Sequence, residues 1–549
     1  MHGSRITATT ALAHTWRFAA LRAFAAALTI LLCVPPLHAA TEQRWRIDKD
    51  RWSEADEVGF GKFVQAIGDS DCSSTESCIR SAANPYRDSD PRGMDVDTDC
   101  AKFVYFLRAY YSWKNNLPFS FVNRIAGGGP DLRFSVNGNR ALSRYDFIDP
   151  GGGIDASAAL HTVLNSVSTA TYRQSADEER GVLPDFYSPR IAPQTIRAGS
   201  VVYDVNGHAV IVYRVDPDGR IHYLGASPDS GVARSVYGAQ FGQPSTKLGG
   251  GFKAWRPLML VGARKNTEGH LIGGHIVLAR NEDVPDFSLV QYQGTDGKAD
   301  DSRKAHFAYG GVDLDYFEYV RAAVSGGNMS YNPIYEFKEV LPRLCKEFTA
   351  RAQSIDQAIS DGIEKRPHPD RLPSNIYAAA DTTWENFATP MRDARIKSAF
   401  SQSHDDLAAM LQLWTDRNPR IVYDGLDLKG DLEKVYAEET AECSVTYLNS
   451  EKHPVTLSFE DLVHRLYAMS FDPYDCIEHR WGDEAVSCPD SDEKKRWYAT
   501  EQVLRDRIDP GGQLHDRRQS SGLAKLDIKS LVDEMRPQVL FVGMNSVGR

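Results

Sequence analysis

Of the eight cysteines in the 549-residue chain, one stands where it could do chemistry. Cys33 lies in an N-terminal apolar run, and six others fall into plausible pairs that spacing suggests without proving: Cys72 with Cys78, Cys345 with Cys443, Cys476 with Cys488. Cys100 is left over. An odd thiol in an exported chain is a candidate reactive group. Asp97-Thr98-Asp99 supplies N-cap residue types directly before it, and Cys100, Phe103, Val104, Leu107, Tyr110 and Tyr111 form one helical stripe. The thiol therefore opens a half-buried helix, where free backbone N–H groups and the positive dipole end favour thiolate. Asp99 works against ionisation, so a base or cation must come from elsewhere in the fold.

A base is offered by the stretch from Ala198 to Ser227. It reads as three strands separated by Asn206-Gly207 and Asp216-Pro217-Asp218-Gly219 turns, with His208 opening the middle strand. A strand-borne imidazole facing a helix-borne thiol is the arrangement of Cys-His nucleophilic catalysis. The histidine takes the thiol proton and later protonates the leaving amine. The Cys100 N–H at the helix start is the expected oxyanion donor, and Tyr86 is a candidate pocket residue. A third polar group should orient the base, and His222 on the next strand is the candidate, with Ser227 and Asp229 behind it. If Val215 pairs with Arg220, His222 points away from the His208 side, and a bulge reverses this. Gly274-His275 repeats the Gly-His-apolar pattern and makes His275 a rival base.

Three segments together resemble the NlpC-type cell-wall peptidases of the papain-like thiol class: Asp99-Cys100 opening a helix, Ala198-Gly199-Ser200-Val201-Val202-Tyr203, and Gly207-His208-Ala-Val-Ile-Val. The resemblance covers residues 97–120 and 196–232 and implies a bacterial endopeptidase or amidase acting on peptidoglycan stem peptides. The chain departs from the family pattern at Ala101, where a serine commonly follows the cysteine, and at Gly199-Ser200, where a Gly-Asp pair is usual. The separation of Cys100 from His208 is also long and implies an insertion over about residues 123–194.

The elements that must hold these residues follow from the rest of the chain. Arg5, Arg17 and Arg22 around an apolar run from Ala23 to Val34, ending at Ala39-Ala40, read as a cleaved signal over residues 1–40. That run is too short to span a bilayer. A thiol hydrolase domain is expected over 41–262, a connecting region with β character over 263–332, and an α-rich domain over 333–549. In the last, Asp381–Phe400 and Asp405–Trp414 read as helices, and charged runs such as Arg392-Asp-Ala-Arg-Ile-Lys397 read as solvated faces. With 63 basic and 74 acidic residues the net charge is −11, which argues against a nucleic-acid partner. No Cys-x-x-Cys, His-Glu-x-x-His or phosphate loop is present, so neither a metal nor another cofactor is expected.

The expectation is an α+β protein, periplasmic or secreted. It has a papain-like helix-plus-antiparallel-sheet domain followed by an α-rich one. It cleaves amide bonds in a peptide or peptidoglycan substrate through Cys100, His208 and His222. Two alternatives use the same residues: a non-catalytic envelope binding or scaffold protein, and a transglutaminase-like acyl transferase.

Overall fold

The computed structural model describes residues 44–483, 492–506 and 527–535, less a few short internal stretches such as 228–229 and 377–379. The expected signal and Cys33 lie outside these. The described chain is 41% helical and 20% strand, an α+β protein. No described helix is long and apolar enough to cross a membrane. The first half is organised by six antiparallel strands: β1 (Phe186–Tyr187), β2 (Val201–Asp204), β3 (His208–Val215), β4 (Ile221–Ala226), β5 (Val232–Val236) and β6 (Gly251–Trp255). They lie in the order β1-β6-β2-β3-β4-β5. The three strands expected between Ala198 and Ser227 are the centre of this sheet.

Alternation along β3 divides the residues between two layers. Ala209, Ile211 and Tyr213 face an inner core with Leu224, Ala226, Val201 and Tyr203. Helices α1 (Glu54–Asp69) and α2 (Cys100–Lys114) pack there. The approach of α1 to β3 is close enough to require glycine: a Cβ on Gly68 would lie 2.1 Å from the Tyr213 ring. On the outer face Val202, Val210, Val212 and Tyr223 meet a second core built with helix α3 (Tyr316–Val324). The expected insertion is part of the inner core rather than an appendage. A hairpin that begins just before it, Phe119–Gly127 with Asn139–Phe147, and its helix Ala156–Ser166 bring Phe147, Leu160 and Val163 of the insertion into that core. In the connecting region, where β character is expected, His275–Leu278 pairs with Leu258–Val261. Farther on, Phe287 makes a single bridge to Pro189 and is followed by a helical turn, Val290–Gln293.

The second half is a helical domain around α4 (Pro333–Ser360), α5 (Pro390–Thr415) and α6 (Leu428–Thr440), with one hairpin, Ser444–Leu448 and Pro454–Ser458. Pro390 at the first turn of α5 starts a new helix after Thr382–Phe387, which is why the two expected helices meet differently. The charged run in α5 is a correction to the solvated-face reading: Arg392, Asp393 and Lys397 are buried and face polar partners inside the domain. Cys72–Cys78 and Cys345–Cys443 are bonded, and Cys476 is bonded to a partner outside the described residues. Cys345–Cys443 closes 98 residues between α4 and the domain's hairpin. Replacing both by serine is expected to lower the stability of the helical domain by about 4 kcal/mol, read as an earlier denaturant midpoint for that transition alone.

Candidate active site

Cys100 begins α2 at the N1 position, and Asp99 caps the helix with Oδ1 accepting from the N–H groups of Ala101 and Lys102, both at 2.9 Å. That cap uses two of the free donors of the first turn. Tyr172 Oη donates to the Ala101 carbonyl at 2.6 Å and fixes the same turn from the insertion side. The thiol is free and buried, 6% exposed. Burial and then the Asp99 carboxylate push it up to about 12, against the N–H groups of Ala209, Ala101 and Cys100 itself, which point to the sulfur. Ala209 follows His208 on β3, so the helix N-terminus and the histidine strand meet at the thiol.

The His208 ring turns to the outer side of the sheet, where it lines a cleft. Its Nδ1 is shielded from solvent without a hydrogen-bond partner. Burial, and then the Arg395 guanidinium from α5, hold the imidazole down to about 4. No hydrogen bond joins thiol and imidazole among the described residues. The thiol is held protonated and the imidazole neutral, and the two are not paired: Cys100 opens a helix on the inner face of the sheet, whereas the His208 ring turns to the outer face.

His222 is placed elsewhere. The turn after β3 holds residues 216–220, with Val215 opposite Ile221 and Arg214 opposite His222, and a bulge follows before Val212 meets Tyr223. The longer turn and the bulge cancel, so Tyr223 shares the face of Val212, Val210 and His208, and His222 takes the other. Both His222 nitrogens are engaged there: Nε2 lies 2.7 Å from Asp216 and 3.1 Å from Arg214, and Nδ1 lies 3.2 Å from Arg343. The orienting role expected of His222 therefore has no geometric basis.

The position on β4 that does face the base is Gly225. A Cβ built there would lie 3.4 Å from His208 Nε2 and 3.0 Å from Val210. Where a side chain could have oriented the imidazole there is none. Ser227, next on that face, is 2% exposed and accepts a hydrogen bond from Arg395 Nη1. Arg395 also pairs with Glu347 at 3.2 Å. Neither Gly225 nor Arg395 was singled out from the sequence. Gly225 was legible as the residue two before Ser227 on the same face, whereas Arg395 comes from another domain 187 positions beyond His208.

The other candidates resolve simply. Tyr86 packs among Phe63, Tyr110 and Tyr111 and bonds Asn115, an aromatic packing role. His275 is exposed on the separate Leu258–Val261 hairpin. Asp229 lies outside the described residues. Asp216, His222 and Glu339 bring ligand atoms within 4.8 Å of one another, but Arg214, Arg220 and Arg343 already neutralise that cluster. In Asp475, Cys476 and His479 the sulfur is in a disulfide and cannot act as a thiolate. No family model, curated protein or solved structure matches this chain.

Proposed function

We propose that the chain is an exported thiol hydrolase of amide bonds, with Cys100 as nucleophile, His208 as general base and acid, and the Cys100 N–H as oxyanion donor. The observation that carries this reading is the meeting of the α2 N-terminus with the first residues of β3 at a free sulfur. The peptide substrate, peptidoglycan stem peptides among the candidates, follows from the resemblance of the two motif segments. Transfer to an amine in place of water uses the same residues. The bonded cysteines suit the oxidising periplasm or exterior.

A specific observation favours the second reading, a binding protein that retains this fold. Burial opposes both charged forms of the pair, and Gly225 leaves the imidazole without an orienting partner. Iodoacetamide labelling separates the two. Alkylation of Cys100 should climb steadily with pH and show no plateau below pH 10, because thiolate is scarce in the resting state. Asp99→Asn removes the adjacent charge, keeps an N-cap side chain, and should speed labelling at pH 8. In the hydrolase His208→Ala slows it about tenfold, since the imidazole accepts the thiol proton during attack. Labelling indifferent to His208 at every pH would leave the binding reading in its place.

A further inference from the structure

Between the outer face of the sheet and helices α4 and α5 runs a slot of ≈ 140 Å³ that starts at His208 and Gly225. Much of its lining is apolar, with Phe241, Phe337, Val340, Leu407 and Met410 among the walls. On α5 its lining recurs every three or four residues, through Met391, Arg395, Ala399, Gln402, Asp406 and Met410, so one stripe of that helix forms a wall. Arg395 marks the His208 end through its bond to Ser227. Asp406 lies eleven residues on, about 16 Å along the helix axis. The lining thus extends from the His208 end to Asp406 along one side of the helix.

The acids of the slot differ in one respect. Glu336 meets Arg321 at 2.9 Å, Glu339 meets Arg220 at 3.2 Å and Arg343 at 3.4 Å, and Glu347 meets Arg395 at 3.2 Å. Asp406 has the Gln402 side-chain amide at 2.5 Å and no ion pair among the described residues, Arg321 acting on it only from a distance. Asp406 keeps solvent contact while lining the slot. Desolvation there, opposed by the Gln402 bond, then reinforced by Glu336 and Asp405 and opposed by Arg321, pushes it up to about 7. An organic cation supplied by a ligand would restore the charged form.

We propose that the slot binds an elongated ligand with an apolar stem and one basic group, the ammonium or guanidinium seated on Asp406 and the far end beside His208. An extended peptide advances about 3.3 Å per residue, so about five residues separate the two ends. A peptide with lysine or arginine about five residues from the bond offered to His208 fits this slot. This deepens the hydrolase reading and rests on it only for what happens at the His208 end, because binding makes no use of the thiol.

The test uses the full chain carrying Cys100→Ala and two probes, an acetylated hexapeptide amide of five alanines ending in lysine, and its twin ending in norleucine. By calorimetry at pH 8.5 the lysine peptide should bind at least tenfold more tightly. Asp406→Asn should erase that preference and Asp405→Asn should keep it. The preference should shrink at pH 6, where Asp406 takes up its proton. Equal binding of the twins, binding of neither, or a preference that survives Asp406→Asn overturns the proposal. Because labelling of Cys100 is measured separately, a protein that prefers lysine but labels without regard to His208 keeps the slot and loses the hydrolase.

Discussion

Cys100→Ala should abolish turnover of an amide substrate, and His208→Ala should lower kcat/KM by about a thousandfold with KM little changed. The size is that expected for the loss of a general base from the chemical step. In the proposed reaction no preformed ion pair supplies the nucleophile, so His208 would act as the sulfur attacks, and its loss would be felt in the chemical step rather than in binding. The resting charges give a pH signature. His208 stays unprotonated, and competent as a base, down to about pH 4, so the acid limb of kcat/KM should fall near there. Arg395→Met removes the neighbouring guanidinium, the smaller of the two causes, and should move that limb up part of the way toward 6.5. Full activity of His208→Ala, or an acid limb unmoved in Arg395→Met, would show that the imidazole does not serve the reaction.

The parts of this site that depend on local pattern could be read in the chain. Asp97-Thr98-Asp99 before an apolar stripe announced the cap and the buried thiol, and the two turn signals bounded the strands around His208. What escaped was register and long-range placement. A single bulge beyond Val212 decides which residues of β4 meet His208, and no turn signal marks a bulge inside an apolar run. The buried charges of α5 escaped for a related reason. Arg392, Asp393 and Lys397 carry the composition of a solvated face, and only partners distant in sequence make their burial tolerable. Arg395 reaches His208 from that same helix, so the missed packing of the helical domain and the missed neighbour of the base are one omission.

The second large effect is expected at the partner that holds this helix. Arg351 on α4 is fully buried, and its Nε and Nη2 grip Asp393 at 2.7 and 3.1 Å. Its remaining hydrogens go to the Arg480 carbonyl at 2.8 Å and the Ser470 carbonyl at 2.9 Å, so one guanidinium ties α4, α5 and the buried 470–480 segment. Arg351→Ala should destabilise the helical domain by about 3–5 kcal/mol, because Asp393 and two carbonyls are left buried without their donor. Removing both charges with Arg351→Met and Asp393→Leu should recover part of that loss, since much of it comes from the stranded carboxylate rather than from the pair itself. Urea unfolding followed by calorimetry separates the domain transitions, and a double variant no more stable than Arg351→Ala would sink this account. The consequence reaches the site as well. Asp393 sits two residues before Arg395, so loosening the start of α5 should weaken the Arg395 contact to Ser227 and move the His208-controlled acid limb in the same direction as Arg395→Met. On this account the salt bridge would act as a positioning element for His208, two contacts removed from it.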